Sequence, residues 1–147
     1  MLEKKLRLRG VYSSFYQRFR GGSMYKILIV DDDRTVRTVL NGIAKKSGCA
    51  GICASNGMRA KRILEDNTDI SAVITDLAMP ELDGRGLVED LRASTKWSKI
   101  PILVVSGVAS HSELISLLDV GATECLPKPL SPHRVGDFLD QYVHKTV

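Results

Sequence analysis

The chain has 147 residues, of which 44% are hydrophobic and 26% are charged. This length suits one domain with a substantial core, and this composition excludes an intrinsically disordered chain. The apolar runs reach only about four or five residues, as at 102–105, which excludes a helical membrane span. The chain opens without the apolar core of a signal peptide, so we expect a cytoplasmic protein.

The formal net charge of +4 originates in the first 23 residues. Residues 1–23 contain six Lys or Arg and one Glu, whereas residues 24–147 contain 15 basic and 16 acidic residues. A basic extension therefore precedes a nearly neutral domain. Aromatic residues recur at helical spacing in the extension, which suits a segment for anionic lipid or nucleic acid. We favour the interpretation that 1–23 is non-native or disordered, since Met24 directly precedes the first apolar run.

From Met24 onwards, short apolar runs alternate with stretches of helical spacing. A continuous apolar run predicts a strand buried on both faces, whereas apolar residues three and four positions apart predict an amphipathic helix. In chain order, the sequence predicts a strand at 27–30, a helix across 36–44, a strand at 52–54, a helix across 60–64, a strand at 72–74, a helix across 87–91, a strand at 102–105, a helix across 114–118, a strand at 125–126 and a helix across 135–143.

Capping residues mark several of the helix ends. Serine and aspartate accept hydrogen bonds from the free N–H groups of a first turn, and glycine commonly ends a helix. The predicted N-caps are Asp83, Ser110 and Ser131, and the predicted helix-ending glycines are Gly48 and Gly121.

Five strands alternating with five helices predict a parallel sheet covered on both faces, because parallel strands need crossover connections. The second strand has the least apolar run, and the fifth is short and ends at Pro127, so both suit the edges. The natural strand order is then 2-1-3-4-5. We therefore expect an α/β protein with a flavodoxin-like, doubly wound, five-stranded parallel sheet and five helices.

The cysteines and histidines show no metal-binding pattern. Cys49, Cys53 and Cys125 are odd in number and lack ligand spacing, so we expect reduced and mostly buried thiols. The histidines, at positions 111, 133 and 144, are scattered along the chain, and we expect all of them at the surface. Trp97 precedes the fourth strand, where we expect it to pack.

Polar residues stand at the ends of the predicted strands. In sheets of this kind, ligands bind beyond the carboxyl ends of the strands, near the point where the strand order reverses. The candidate residues at these ends are Asp31, Asp32, Asp33, Asp76, Ser106 and Lys128. Each has an ordinary interpretation by itself, such as helix capping for Asp33, but their convergence on one edge indicates a functional site.

The carboxylates of this set predict a bound cation. At about 4 Å, with an effective dielectric constant of about 20, each ionised pair costs roughly 4 kcal/mol. Either some carboxylates are protonated or a cation lies among them, and hard oxygen ligands favour Mg²⁺. A carboxylate, a divalent cation, a lysine and a hydroxyl together suit the stabilisation of a phosphoryl group in transfer.

Four segments resemble the receiver domain of two-component response regulators: ILIVDDD (27–33), AVITDLAMPELDG (72–84), ILVVSG (102–107) and GATECLPKP (121–129). The resemblance covers about residues 25–145. It implies that Asp76 is the phosphoacceptor. It also implies that Asp31 and Asp32 are the acidic pair that holds Mg²⁺, together with Asp76 and the main-chain carbonyl of Ala78.

The same resemblance assigns the residues that would respond to phosphorylation. Ser106 resembles the Ser/Thr that turns towards the phosphoryl group, and Lys128 resembles the lysine that contacts a phosphoryl oxygen. The Lys128–Pro129 bond falls where the family has a cis peptide. The switch aromatic of the family falls on Cys125 here, so a rotating ring is not expected.

Two further positions depart from the family's usual pattern. The side chains that would orient water near the phosphoryl group fall on Ala78 and Val108. Both side chains are apolar and cannot hydrogen-bond to a water molecule. We therefore expect slow hydrolysis of the phosphorylated state.

The function implied is that of a signalling domain and not of a metabolic enzyme. A histidine kinase or histidine phosphotransfer protein would donate the phosphoryl group in a Mg²⁺-dependent reaction. The domain would assist its own phosphorylation and dephosphorylation, and would signal to a downstream protein through the face of the fourth helix, the fifth strand and the fifth helix. We expect no nucleic-acid binding by the receiver itself and no membrane span.

A second interpretation belongs to another class of protein. Asp31, Asp33 and Thr35 also resemble the opening motif of haloacid-dehalogenase-type phosphohydrolases, with Asp31 as the nucleophile and Asp33 as the acid/base. Ser106 and Lys128 could fill the next two roles. Against this interpretation, no acidic pair follows a later strand, and no cap domain fits in this length. A receiver that serves only as a binding scaffold is disfavoured because the whole candidate set is present.

Overall fold

The computed structural model describes residues 24–107 and 109–144 of the chain. The interpretations made for the basic extension, residues 1–23, therefore concern a part outside the described residues, as does the role expected of the Val108 side chain. Within the described residues, no helix is long and apolar enough to cross a lipid bilayer.

The strands form one parallel sheet in the predicted order, β2-β1-β3-β4-β5. Both edge assignments are confirmed, because among the described strands β2 pairs only with β1, and β5 pairs only with β4. The strands span β1 Tyr25–Val30, β2 Cys49–Ala54, β3 Ile70–Asp76, β4 Ile102–Ser106 and β5 Glu124–Pro127.

The expected five helices are present and connect successive strands or follow the last one. Each is longer than the apolar pattern that predicted it, because its polar first and last turns carry no periodic signal. The helices span α1 Arg34–Lys46, α2 Gly57–Asp66, α3 Gly84–Ala93, α4 His111–Val120 and α5 Pro132–Tyr142.

The sheet separates two hydrophobic cores, because successive side chains of a strand point to opposite faces. In β1, Ile27 and Ile29 join the core covered by α1 and α5, whereas Leu28 and Val30 join the core covered by α2, α3 and α4. All four side chains are fully buried. The continuous apolar run of β1 is therefore explained by burial on both faces.

The predicted helix ends are confirmed by their hydrogen bonds. Asp83 caps α3, Ser110 caps α4 and Ser131 caps α5, each accepting a main-chain N–H from the first turn of its helix. Gly121 ends α4 with a φ of 122°, a backbone conformation that glycine adopts at little cost.

The structure corrects two of the smaller expectations. His111 and His133 are exposed, but His144 is only 9% exposed. Its ring packs edge-on against Tyr25, and its Nε2 contacts the Ser47 carbonyl and lies 3.6 Å from the Cys49 thiol. The prediction was wrong because a lone histidine after a helix carries no burial signal.

The thiols are less uniformly buried than expected. Cys49 is completely buried, and desolvation, with the charge of Asp140 adding to it, raises the pKa of its thiol to about 12. Cys125 is half-buried, whereas Cys53 lies exposed on the edge strand. Cys49 is therefore a packing residue that stays protonated at neutral pH.

Candidate functional site

The strand register brings the two key aspartates together. Asp31 directly follows β1, and Asp76 is the last residue of β3. Val30 of β1 lies opposite Thr75 of β3, so the next residue of each strand lies at the same edge. This is the edge at which the strand order reverses, where ligands bind in doubly wound sheets.

Three carboxylates form a compact acidic cluster, defined as Asp31, Asp32 and Asp76. One oxygen from each lies within 4.8 Å of the others. Asp31 is 1% exposed and Asp76 is 7% exposed, whereas Asp32 is exposed. The cluster thus has two buried members and one member open to solvent, a geometry that leaves an approach for an ion and an anionic ligand.

Asp33 lies outside the acidic cluster. Its Oδ1 accepts hydrogen bonds from the main-chain N–H of Thr35, at 2.8 Å, and from that of Val36, at 3.4 Å. It is therefore the N-cap of α1, in agreement with the interpretation made for this residue by itself. The three consecutive aspartates divide into two cluster members and one cap.

Hydrogen bonds from three directions hold Asp31. Its Oδ1 accepts the main-chain N–H of Asp33 at 2.8 Å, and its own N–H donates to the carbonyl of Ala54 at 3.1 Å. Its main-chain carbonyl accepts a hydrogen bond from Nη1 of Arg37 at 2.7 Å. Arg37 was not predicted as a site residue, since its only sequence signal is a basic residue one turn into the helix that follows the aspartates.

Lys128 bridges the two buried carboxylates. Its Nζ lies 3.2 Å from Oδ2 of Asp31 and 3.2 Å from Oδ1 of Asp76. Burial lowers the pKa of Lys128, but the charges of Asp31 and Asp76 outweigh burial, so the pKa is raised overall. Lys128 therefore remains an ammonium group between the two carboxylates.

One ammonium group does not balance three carboxylates. Burial raises the pKa of Asp31, and the neighbouring charge of Asp76 raises it further, whereas the N–H of Asp33 and the charge of Lys128 lower it. The net shift is upwards, so ionised Asp31 is destabilised relative to an aspartate in water. A divalent cation among these oxygens would offset that cost, and the donor set of carboxylate oxygens fits Mg²⁺.

The loop after β3 holds Asp76 at the edge of the sheet. The main-chain N–H of Leu77 donates to Oδ1 of Asp76 at 2.9 Å. Gly84 closes this loop against the strand, since a Cβ atom there would lie 2.2 Å from the Asp76 carbonyl oxygen. Ala78, two residues after Asp76, is exposed on the same loop.

Ser106 lies on β4, next to β3, and Cys125 lies on the edge strand β5. Ser106 is the last residue of β4, and its Oγ accepts the main-chain N–H of Ala109 at 3.1 Å. Cys125 is half-buried in β5 beside α4 and lies opposite Val104 of β4. The Lys128–Pro129 peptide is cis, as the resemblance implied.

Fold and site together define an α/β domain with an acidic cluster and a lysine at its switch-point edge. The sequence profile of the family described as "Response regulator receiver domain" matches residues 27–140. Among curated relatives, the chain is 31% identical over 116 residues to "Chemotaxis protein CheY1" of Helicobacter pylori (strain J99), covering 78% of this chain and 94% of that protein. It is 33% identical over 121 residues to "Two-component response regulator ORR11" of Oryza sativa subsp. indica, covering 82% of each.

Solved structures show the same likeness. Chemotaxis protein CheY4 of Vibrio cholerae superposes with a TM-score of 0.75 at 26% identity, covering 82% of this chain and 99% of that one. The signal receiver domain of a histidine kinase from Syntrophus aciditrophicus superposes with a TM-score of 0.71 at 27% identity, covering 84% and 95%.

The chain belongs to the response regulator receiver domain family. It is a phosphoacceptor receiver domain of two-component systems, and its family is one of signalling domains. The phosphohydrolase alternative is not favoured, since the family match spans nearly all of the described residues.

Proposed function

We propose that Asp76 accepts a phosphoryl group from a phosphohistidine of a histidine kinase or a histidine phosphotransfer protein. The observation that carries this assignment is the position of Asp76 at the end of β3, within the acidic cluster and 3.2 Å from the Lys128 ammonium. In the transfer, a carboxylate oxygen of Asp76 forms a bond to phosphorus as the P–N bond breaks, and the imidazole nitrogen keeps the electron pair of that bond. Phosphorylation of Asp76 would add negative charge at the edge where the sheet meets its loops, and loss of the phosphoryl group would remove that charge.

The acidic cluster would hold Mg²⁺ through Asp31, Asp32 and Asp76, with the main-chain carbonyl of Ala78 as a further ligand. When bound, Mg²⁺ supplies positive charge to the phosphoryl oxygens. Asp31 is oriented by the N–H of Asp33 and by Arg37, so its oxygens need little reorganisation. Lys128 is placed to contact a phosphoryl oxygen, because its ammonium already lies beside Asp76.

The domain would also take part in its own resetting. In hydrolysis, a water oxygen attacks phosphorus as the Asp76–phosphoryl bond breaks, and the carboxylate is restored. The cation and Lys128 would stabilise the phosphoryl oxygens in both the transfer and the hydrolysis, and the partner would supply the phosphohistidine for the transfer. We place this signalling in the cytoplasm.

The downstream partner would bind the face formed by α4, β5 and α5. Ile115 and Leu118 of α4 are 49% and 47% exposed, and large apolar side chains exposed together favour protein contact. We expect the receiver itself to bind protein and not nucleic acid.

Intact-mass measurement tests the assignment. The wild-type protein, mixed with Mg²⁺ and a small phosphodonor, should gain the mass of one phosphoryl group, and peptide mapping should place it on the peptide that contains Asp76. A phosphoryl group mapped to Asp31 would instead support the hydrolase alternative and overturn the proposed function.

The activation change is expected to run through Ser106 and α4 without a rotating aromatic ring. The Ser106 side chain can turn to donate its hydroxyl to a phosphoryl oxygen, and this rotation would carry Oγ away from the Ala109 N–H and shift the start of α4. A phosphoryl mimic should therefore move NMR resonances across residues 106–125. Ser106→Ala should lose the shifts in α4, whereas Cys125→Ala should keep them. Shifts confined to the acidic cluster would contradict a switch at this surface.

The phosphorylated state is expected to be long-lived. Hydrolysis needs a water molecule in line with the Asp76–phosphoryl bond, and positioning the attacking group is a large part of the barrier. The side chains at 78 and 108 are apolar and cannot align that water. Ala78→Asn combined with Val108→Glu should speed the loss of phosphate by about tenfold, corresponding to roughly 1.4 kcal/mol of barrier.

The measurement is the decay of phosphorylated protein after donor removal with Mg²⁺ present. Ala78→Ser alone, which introduces a shorter hydroxyl, serves as the intermediate comparison. A wild-type decay as fast as that of the double variant would show that another group orients the water.

A further inference from the structure

Arg37 holds the loop between β1 and α1 at two points. Its side chain donates from Nη1 to the carbonyl of Asp31 at 2.7 Å, and its main-chain N–H donates to the carbonyl of Asp33 at 3.1 Å. The residue is half-buried in α1. Asp32 lies between the two carbonyls, so the chain that carries this exposed ligand is fixed on both sides.

The hydrogen bond from the Arg37 side chain to the Asp31 carbonyl suits a loop that carries three adjacent aspartates. Hydrogen bonds from an ionised donor are shorter and stronger than those between neutral groups. Without such a bond, repulsion among the carboxylates favours a loop in which the oxygens spread apart. The bond is made to the main chain of Asp31, so it restrains the backbone and leaves both carboxylate oxygens of that residue free for other partners.

We propose that Arg37 is a positioning residue that presents the oxygens of Asp31 and Asp32 to Mg²⁺. The inference rests on the proposed function of the acidic cluster as a magnesium site. Arg37 touches neither the cation nor the phosphoryl group, and acts through the main chain of Asp31. Groups that orient metal ligands commonly influence affinity by about ten- to a hundredfold.

An electrostatic role and a positioning role of Arg37 predict opposite changes in Mg²⁺ affinity when its side chain is replaced. Removing a positive charge beside a cation site should strengthen Mg²⁺ binding if Arg37 acts only through its electrostatic field. Removing the bond to Asp31 should weaken binding if Arg37 positions the loop. Arg37→Gln removes the charge and keeps a helix-forming side chain, so the sign of the change distinguishes the two effects.

The experiment is Mg²⁺ titration by calorimetry on wild type, Arg37→Gln, Arg37→Lys and Arg62→Gln. Arg62 is an exposed arginine of α2, and its variant removes the same charge away from the site. We expect Arg37→Gln to raise the Kd for Mg²⁺ by about tenfold or more. Arg37→Lys should recover part of the lost affinity, because lysine keeps a hydrogen-bond donor. Arg62→Gln should bind Mg²⁺ with the affinity of wild type.

Thermal unfolding in chelator separates positioning from simple destabilisation, with titrations carried out well below each melting temperature. Unchanged or tighter binding by Arg37→Gln overturns the inference and leaves the proposed function standing. The inference is also overturned if Arg37→Gln binds Mg²⁺ as tightly as wild type at a temperature where the variant is fully folded. The role of Arg37 is then structural. A wild-type protein that binds no Mg²⁺ overturns both proposals together.

Discussion

Asp76→Asn is expected to abolish phosphorylation completely. The amide has nearly the same shape as the carboxylate and can still accept the N–H of Leu77, but it has no ionised oxygen to attack phosphorus. It also removes one carboxylate from the acidic cluster. The measurement is intact mass after incubation with a small phosphodonor and Mg²⁺, and the wild-type mass gain should be absent from the variant.

Asp33→Asn is the matched control for that experiment. It changes the same functional group in the neighbouring loop, and asparagine caps a helix as well as aspartate does. The variant should be phosphorylated normally, because Asp33 lies outside the acidic cluster. Loss of the reaction in Asp33→Asn, with retention in Asp76→Asn, would point to the hydrolase chemistry, in which Asp33 is the acid/base.

Asp32→Ala is expected to weaken Mg²⁺ binding by well over tenfold and to make phosphorylation correspondingly slow. Asp32 is the exposed member of the acidic cluster, so its removal leaves the core and the ion pairs of Lys128 in place. The loss of a proposed direct ligand should have a larger effect than the roughly tenfold minimum typical of changing a group that only orients a ligand. Calorimetry should show the weakened affinity, and thermal unfolding in chelator should show little change.

The choice of probe matters for that titration. Trp97 lies in the loop before β4, at the end of the sheet opposite the site, so its fluorescence is a poor reporter of the cation. Calorimetry or the NMR resonance of the Asp33 amide, which donates to Asp31, reports directly on the cluster. Affinity equal to that of wild type in Asp32→Ala would remove this residue from the ligand set.

The sequence predicted the fold because its local signals agree with one another. The apolar run of β1 and the helical spacing in α1 each indicate one element, and parallel strands joined by helices restrict the order of the sheet. The short β5, which ends at Pro127, could only be an edge. Helix lengths were underestimated, since the exposed turns at the ends have no apolar pattern.

The candidate site could be placed by the same reasoning. Polar residues at the carboxyl ends of parallel strands meet at one edge, and the register of β1 with β3 brings Asp31 beside Asp76. The resemblance to receiver domains then assigned each residue a role, and the family match confirms the class of protein.

The strand order, the edge that carries the site and the residues at that edge could all be predicted from the sequence, because they follow from the period and order of elements along the chain. The partners of those residues become visible in the folded protein alone. The fold places Lys128 between two carboxylates, brings Arg37 to the carbonyl of Asp31 and buries His144 against Tyr25. These contacts depend on side-chain direction and on the packing of elements distant in the chain, and neither leaves a periodic signal in the sequence.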